Sequence, residues 1–486
     1  MNQLSPFVFR DMRKGVIRKS SVSPFLTPEN SVSHSININF DKVLGSGVVR
    51  DGTTRLGTTV VIGVIPLGLA EFGTSVCPGV TVFSGATTAT IFYMNSAGVF
   101  KKSAVTNLNN TAKNRFAVLG DRIFRVNGVD GMSSSPNGNA WTASTAAGCL
   151  TTVIPGVIMA SKNIMLASGT VYPSRIYFSS VIDPTTASRI TWSESASTGD
   201  WIDVMPDDGD SITGFAETSS ISLVFKNRAM YRIDSISKTT DTKNIFNMGA
   251  PSQEAIVRCQ GLVYFFTGQD IRRTDGGFPE QISRLGVQDW IDAIPYASWS
   301  QVSLGTDGIS VYASIGDITL NTGKNEQESF KNVVLKFSPR DESWSVHSYG
   351  QEHRYYSQFT ISGRKFVEAD TSGLVQTVDS GNTDNTVPIF FDLQTQEIEM
   401  GNRGHKKSVS DVVVFTDNGI DSQFGISADG EPFVYLKTNL NKKVNKVSNA
   451  SSEGNIFTFR WKGETSGTAP RFDGFQLEKI TDLGIQ

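Results

Sequence analysis

The feature that most constrains the fold is a short hairpin pattern that returns along most of the chain. Residues 115–132 read RFAVLGDRIFRVNGVDGM, in which alternating apolar residues break at Gly120-Asp121, resume, and break again at Asn127-Gly128. Gly-Asp and Asn-Gly supply the positive φ angles that a tight turn requires, and alternation is the period of a half-buried strand. This segment therefore predicts a β-hairpin.

The same pattern recurs between about residue 57 and residue 395. Its turns are predicted at Lys226-Asn227, Thr267-Gly268, Pro339-Arg340-Asp341 and Ser372-Gly373. Turns recur at a spacing of roughly 40–55 residues, or multiples of it, which is the length of a four-stranded propeller blade. A lone hairpin cannot bury its faces, whereas radially stacked sheets bury them against each other. We therefore expect an all-β fold with a β-propeller of about seven blades, and a tandem of β-sandwiches is the alternative.

Two segments depart from the pattern. PEQISRLGVQDWIDAIP (279–295) places apolar residues near helical spacing, with Ser283 as a cap and Pro295 as a stop, and it predicts a short helix. After about residue 386, strands at short and even spacing are typical of an antiparallel sandwich. We predict an N-terminal arm over residues 1–40, the β-propeller over 41–385 and a C-terminal antiparallel β-sandwich over 386–486.

The composition excludes several classes of protein. With 38% hydrophobic residues and a formal net charge of -3, the chain is neither disordered nor a polycation that grips nucleic acid by bulk charge. Cys77, Cys149 and Cys259 form no CxxC pair and are interpreted as isolated buried thiols of a protein made in a reducing cytoplasm. The N-terminus lacks the apolar core of a secretory signal, and VVIGVIPLGLAEFG is too short to cross a bilayer. We expect no membrane-spanning segment.

Few residues are arranged for catalysis or metal binding. The four histidines are scattered without an HExxH pair, and neither a GxSxG nucleophile nor a P-loop occurs. MPDDGD (205–210) clusters Asp207, Asp208 and Asp210, but the twelve-residue calcium-loop pattern is absent, so we prefer an acidic surface turn. The sequence predicts no catalytic residue, no metal site and no cofactor, and hence a protein that is not an enzyme.

Several stretches, taken in order, resemble the tail nozzle or tail hub proteins of short-tailed bacteriophages, including their packaged-DNA stabilisation proteins. SININFDKVLGSGVVRDGTTRLG (35–57) is similar to the opening segment of such proteins, and YPSRIYFSSVIDP (172–184) with Trp192 is similar to one of their blades. SITGFAETSSISLVFKNRAMYRID (211–234) is similar to the following blade, PEQISRLGVQDWIDAI to their inserted helix, and KKSVSDVVVFTDNG to their terminal sandwich. The order of these stretches over residues 35–486 carries the resemblance, and the sequence before residue 35 departs from it.

The resemblance implies a structural virion protein of the tail, assembled in the bacterial host cytoplasm. Such proteins form a homo-oligomeric ring, hexameric in the family, which extends the tail channel, retains packaged DNA and passes it at ejection. The implied partners are a tail adaptor or tube protein, tail fibre or needle proteins, and the exiting genomic DNA in transient contact. No catalytic residues carry over from the family.

Two other functions are compatible with the sequence. One is a propeller glycan hydrolase such as a tail depolymerase, because SPRDESW (338–344) is similar to a glycosidase Asp-box without its glycine, and such enzymes draw carboxylates from separate blades. The other is a host-receptor-binding module. Turnover of host polysaccharide would identify the first, and binding of the isolated chain to cells would identify the second.

Two basic clusters are candidate partner-binding sites. The first is N-terminal and contains Arg10, Arg13, Lys14, Arg18 and Lys19. The second, LKTNLNKKVNKV (436–447), contains Lys437, Lys442, Lys443 and Lys446 and no acidic residue. A solvated basic face is the alternative for each cluster. For the second we favour contact with an acidic protein surface over contact with DNA, because a sandwich appended to a ring more naturally faces outward.

Overall fold

The structure is a computed structural model that describes residues 2–17, 28, 30–57, 65–105, 107–182, 190–195, 199–219, 221–234, 236–237, 242–321, 327–402 and 404–485. At residues 2, 420, 437–439, 448–449 and 451 it describes the backbone alone. Within these ranges the fold is all-β, with seven small sheets in chain order and two larger ones. The small sheets are the blades of a β-propeller and the larger pair forms an antiparallel sandwich, so the predicted fold class is confirmed and the tandem of sandwiches is wrong.

Each blade is an antiparallel sheet whose strands follow each other in sequence. Blade 1 contains Pro66–Glu71, Gly79–Phe83, Thr90–Met94 and Phe100–Lys102. Blade 2 contains Arg115–Leu119, Arg122–Val126 and Ser133–Ser135. Blade 3 contains Pro155–Ser161, Ile164–Gly169, Arg175–Phe178 and Trp201–Asp203. Blade 4 contains Ile212–Glu217, Ser222–Lys226, Met230–Ile233 and Lys243–Phe246. Blade 5 contains Ile256–Cys259, Leu262–Phe266, Ile271–Thr274 and Glu280–Gln281. Blade 6 contains Ser303–Thr306, Val311–Asn321, Gln327–Ser338 and Ser343–Ser348. Blade 7 contains His353–Thr360, Arg364–Asp370, Val375–Val378 and Thr53–Arg55.

The local sequence explains the blade strands. The predicted hairpin over 115–132 forms, with Leu119 paired to Arg122 around Gly120, which has a φ of 64°. Strands such as Gly79–Phe83 and Ser222–Lys226 are buried at every position. They are buried on both faces because each blade is covered by its neighbours, and this explains their continuous apolar runs where a half-exposed strand would alternate.

The ring of blades closes through a strand from far away in sequence. The first strand of each blade contacts the first strand of the next, and that of blade 7 contacts that of blade 1. The outer strand of blade 7 is Thr53–Arg55, which pairs with Val375–Val378 and precedes blade 1 in the chain. Joining the two ends of the propeller in one sheet removes an open edge from the ring.

The sandwich is built from both ends of the chain. One sheet contains Asn2–Leu4, Phe7–Phe9, Ile38–Asn39, Gly47–Val49, Lys406–Asp417, Val444–Gly454 and Arg471–Gly484. The other contains Val32–Ile36, Ile389–Thr395, Ile398–Glu399, Gly419–Ala428, Val434–Leu440 and Ile456–Thr465.

The observed division of the chain therefore differs from the predicted one. Phe7–Phe9 pairs with Arg471–Gly484, and Met12 and Val16 are buried, so the described strands of the segment predicted as an arm over 1–40 belong to the sandwich. The propeller is inserted between two parts of the sandwich, and the predicted boundary at residue 41 falls between the sandwich strands Ile38–Asn39 and Gly47–Val49. Alternating apolar residues near the N-terminus find their partner strand hundreds of residues away, which no local pattern reveals.

The predicted helix is present but shorter than its sequence pattern. It spans Gln288–Asp292, between blades 5 and 6, and buries Trp290 and Ile291. Its N-cap is Val287, so the prediction that Ser283 caps it is wrong; the Ser283 hydroxyl instead donates to Gln288 Oε1 at 2.8 Å. Short 3-10 turns lie at Thr145–Ala147, Pro206–Asp208, Gln253–Ala255 and Tyr296–Gln301. In the described ranges, no helix has the length and apolar character needed to cross a membrane.

Candidate functional site

The propeller axis contains a cavity of about 360 Å³ that is crossed by an ion cluster. Glu254, on the 3-10 turn before blade 5, accepts hydrogen bonds from Arg115 Nε at 2.8 Å and from Lys113 Nζ at 3.4 Å. Burial alone would raise the pKa of Glu254, but the positive charges of Arg115 and Lys113 outweigh it and hold that pKa well below its ordinary value. The cluster therefore ties blade 2 to blade 5 across the axis, and Glu254 is the single carboxylate among the described lining residues.

The two connections between propeller and sandwich meet at Arg50. Its guanidinium is fully buried and pairs with Asp384 through Nη1 at 2.8 Å and Nη2 at 2.5 Å. The Tyr349 ring lies 3.9 Å from the guanidinium. A Cβ at Gly52 would come within 1.9 Å of the Thr383 carbonyl oxygen, so the two connections touch backbone to backbone there. Arg50 therefore fastens the entry to the exit of the inserted propeller.

A continuous apolar core also joins the domains. The cluster that contains the sandwich residues Phe40 and Trp461 extends to Trp290 of the helix and to Phe337 and Trp344 of blade 6. The backbone supports this contact, because Asn37 N donates to the Val346 carbonyl at 2.8 Å and Val16 N donates to the Trp344 carbonyl at 3.0 Å. The sandwich and blade 6 consequently form one packed body.

The predicted lysine cluster lies at the edge of the sandwich. Lys442 and Lys443 are exposed in the turn between Val434–Leu440 and Val444–Gly454. Lys446 pairs with Glu478 at 3.0 Å, so its charge has a counterion that the twelve-residue window does not contain. Lys437 lies on the strand before the turn, and its side chain is outside the described part of the structure.

The N-terminal basic residues do not form a single patch. Arg13 pairs with Asp11, two residues before it, and the Arg10 guanidinium lies 4.3 Å from the Phe415 ring. Lys14 lines a separate cleft beside Trp344. Arg10 and Arg13 line one cleft together with Asp11 and Asp473, whereas Lys14 lines the other. Arg18 and Lys19 fall outside the described residues.

The acidic turn at 205–210 is organised by a buried lysine that sequence reasoning missed. Lys226 is fully buried in blade 4, and its Nζ lies 2.7 Å from both carboxylate oxygens of Asp208. Asp210 accepts hydrogen bonds from Asn227 and from the Arg228 backbone, while Asp207 is exposed. Among the described residues, no group of three histidine, cysteine or acidic side chains is placed to hold a metal ion. The isolated Lys226 in SLVFK gave no signal of this pairing in the sequence.

A second missed group fills the contact between blades 6 and 7. His347 Nε2 lies 3.0 Å from Asn39 Oδ1 of the sandwich, the rings of Tyr349 and His353 are 4.2 Å apart, and His353 Nε2 lies 3.7 Å from Glu368 Oε1. Burial, followed by the charge of Arg50, lowers the pKa of His353 to about 3. Burial, reinforced by Asp370 and Asp384, raises the pKa of Glu368 well above its ordinary value. Burial therefore favours the neutral form of both side chains.

The cysteines agree with their interpretation. Cys77, Cys149 and Cys259 are buried, free thiols. Burial raises the pKa of Cys77 to about 12, which keeps it as an unreactive thiol.

Comparison with known proteins adds fold neighbours at low similarity. No family model matches the chain, and no curated protein matches it. The chain is similar to YCF48 from Cyanidioschyzon merolae, with 11% identity, 67% of this chain and 98% of that chain covered, and a TM-score of 0.40. It is similar to BamB from Moraxella catarrhalis, with 12% identity, coverage of 71% and 96%, and a TM-score of 0.39. It is also similar to the Neurospora crassa Pan2 WD40 domain, with 8% identity, coverage of 68% and 95%, and a TM-score of 0.40. Similarity at this level carries no inference about activity or partners.

Proposed function

We propose that this chain is a structural virion protein, the ring-forming subunit of a phage tail nozzle or hub. The observation that supports this most is the rigid joining of the two domains. The propeller is inserted into the sandwich, both connections meet at the Arg50–Asp384 pair, and one apolar core spans the junction. A subunit that carries load between neighbours in a tail needs domains that do not move independently, and a single packed core provides that. The ordered resemblance over residues 35–486 points to the same role.

In this proposal DNA passes along a surface of the assembled ring and not through a propeller. A cavity of about 360 Å³ has the size of a small-molecule pocket, and the Glu254–Arg115 pair crosses it. A formal net charge of -3 suits a wall past which a polyanion slides, because each neutralised phosphate would add affinity and slow exit.

The proposal includes the location and partners of the protein. The chain is assembled in the bacterial host cytoplasm into the tail, docks on an adaptor or tube protein, and carries fibre or needle proteins. It has no catalytic activity of its own. Purified chain incubated with polysaccharide, peptidoglycan or nucleic acid should show no turnover above background, and saturable hydrolysis that a single carboxylate substitution abolishes would overturn the structural role.

Electron cryomicroscopy of phage particles tests the location. Particles from the strain that encodes this chain are imaged with and without a Fab raised against the purified protein. We expect a ring at the distal end of the tail that binds one Fab per subunit, and DNA leakage from particles that lack the chain. Particles that bind no Fab, or Fab bound only to the capsid, would overturn the proposal.

A further inference from the structure

Blade 3 and the turn after it carry three largely exposed apolar side chains, and the Arg175 guanidinium lies over one face of the Tyr172 ring at 4.4 Å. Val171, Tyr172 and Met205 are 65%, 45% and 55% exposed. The two chain segments that carry them lie side by side, because Val204 N donates to the Ser174 carbonyl and Ile212 N donates to the Pro173 carbonyl, both at 2.8 Å. Single exposed apolar residues are ordinary, whereas adjacent ones with a polar rim mark contact surfaces.

The rim of this group contains one exposed carboxylate without a described counterion. Residues 201–210 contain four aspartates, of which Asp203 pairs with Arg175 at 2.7 Å and Asp210 accepts hydrogen bonds from Asn227 and the Arg228 backbone. Lys226 neutralises Asp208, but Asp207 is exposed and makes no ion pair or hydrogen bond with any described residue. We call Val171, Tyr172, Met205 and Asp207 the blade 3 patch.

The opposite chemistry lies at the far edge of the sandwich. The first strands of the two sandwich sheets, Ile38–Asn39 and Val32–Ile36, both contact Ser343–Ser348, the outer strand of blade 6. The first of these sheets ends at Val444–Gly454 and the second ends at Val434–Leu440. The turn between these two strands presents Lys442 and Lys443, which form no ion pair with a described residue, and Val444, which is 56% exposed. We call these three residues the distal lysine turn.

The two surfaces cannot meet within one chain. The sandwich is packed on blade 6, and in the cyclic order of seven blades, blades 2 and 3 lie furthest from blade 6. Two different, complementary surfaces at opposite poles are the requirement for a heterologous contact, which forms a ring when the rotation between subunits closes.

We propose that the distal lysine turn of one copy of this chain docks on the blade 3 patch of the next copy. The identification of this contact with a tail ring rests on the proposed function, while the contact itself rests on the two surfaces. Lys442 and Lys443 face Asp207 at the rim and fix the orientation, and Val444 covers the exposed apolar atoms of Val171, Tyr172 and Met205. A nucleic acid is disfavoured on the blade 3 patch because Asp207 would repel phosphate.

Sedimentation velocity of the purified full chain over a range of concentrations tests the docking. We expect association that weakens with salt, and a loss of affinity of about tenfold or more for Lys442→Glu combined with Lys443→Glu and for Asp207→Lys. Mixing the double lysine variant with Asp207→Lys, or combining all three changes in one chain, should restore association. Carbodiimide should crosslink Lys442 or Lys443 to Asp207 between isotopically labelled and unlabelled copies.

Matched controls separate the contact from general effects of charge and polarity. Lys101→Glu with Lys102→Glu makes the same charge change on the exposed outer strand of blade 1 and should leave association unchanged. Val171→Ser, which removes apolar surface without adding charge, should weaken association, whereas Ile309→Ser should not, although each position is 65% exposed. Circular dichroism of every variant verifies folding.

Several outcomes would overturn the docking. A wild-type chain that stays monomeric and gives no crosslink at the highest concentration reached would do so. If the chain forms oligomers and neither charge reversal weakens them, the docking is overturned but the proposed role in the tail is not. Lysine reversal that abolishes binding to a duplex DNA fragment without changing association would assign the turn to DNA. Absence of the chain from particles would overturn the proposed function, whereas association of the purified chain in solution would still test the docking.

Discussion

Replacing Arg50 by methionine should break the junction between the domains. All five N–H donors of its guanidinium are used: Nε donates to Asn37 Oδ1 at 2.8 Å, Nη1 to the Asp51 carbonyl at 2.9 Å and to Asp384, and Nη2 to the Ser348 carbonyl at 2.9 Å and to Asp384. Methionine fills similar space but donates none of these bonds. It leaves Asp384, whose side chain is 11% exposed, without its cation.

The magnitude follows from this geometry. Removing one partner of a buried ion pair typically lowers the free energy of unfolding by about 3–5 kcal/mol. The lost contact with the Tyr349 ring adds to this, while the partial exposure of Asp384 lets water recover some of it. We expect a loss of about 4 kcal/mol, a large part of the stability of an ordinary domain.

Urea denaturation followed by tryptophan fluorescence and circular dichroism measures the effect. The wild-type domains should unfold in one transition, and Arg50→Met should lower the midpoint or separate the two domains. Asp384→Asn should act similarly, and the double variant should lose less than the sum of the two single losses. Arg13→Met, which removes an arginine from the exposed pair with Asp11, is the control and should cause no measurable change. A loss below about 1 kcal/mol for Arg50→Met, with a single unshifted transition, would refute the role of Arg50.

Three further predictions concern the propeller core. Phe225 is fully buried with its ring 5.1 Å from Phe265, so Phe225→Ala should lower the free energy of unfolding by about 3–5 kcal/mol; less than about 1 kcal/mol in chemical denaturation would show that the site is not packed as described. Because the pKa of Glu254 is depressed in the folded protein, its contribution to stability is present above its unfolded-state pKa near 4.5 and is lost as the pH falls. Glu254→Gln should therefore be less stable than wild type at neutral pH. Its urea midpoint should also depend less on pH in the acid range. The raised pKa of Glu368 has the opposite effect, because the stability of the protein is highest with respect to this group below pH 4.5 and falls as the pH rises toward the folded-state pKa. Glu368→Gln should therefore stabilise the protein increasingly at higher pH. Identical pH profiles of stability for the two proteins would contradict this.

The sequence determined the elements whose interactions are local. Gly120-Asp121 and Ser372-Gly373 each specify a turn through residues that tolerate the required backbone angles, and the strands on either side pair within a few residues. The recurrence of such hairpins implied blades, and blades must close into a ring to bury their faces, so the propeller of about seven blades and the sandwich strands after residue 386 could both be predicted. The exposed lysine turn was also predictable, because its charge is contiguous in sequence.

Only the tertiary structure decided which distant segments meet. The pairing of Phe7–Phe9 with Arg471–Gly484, the closure of blade 7 by Thr53–Arg55, and the Arg50–Asp384 pair each join residues hundreds of positions apart. Alternating apolar residues in a strand indicate that one of its faces is buried, but they do not indicate which strand pairs with its edge. The identity of a charged residue likewise does not indicate which residue is its counterion. Partner choice over such separations depends on how the whole core packs, so the sequence pattern shows that these contacts are needed and the folded chain alone shows where they form.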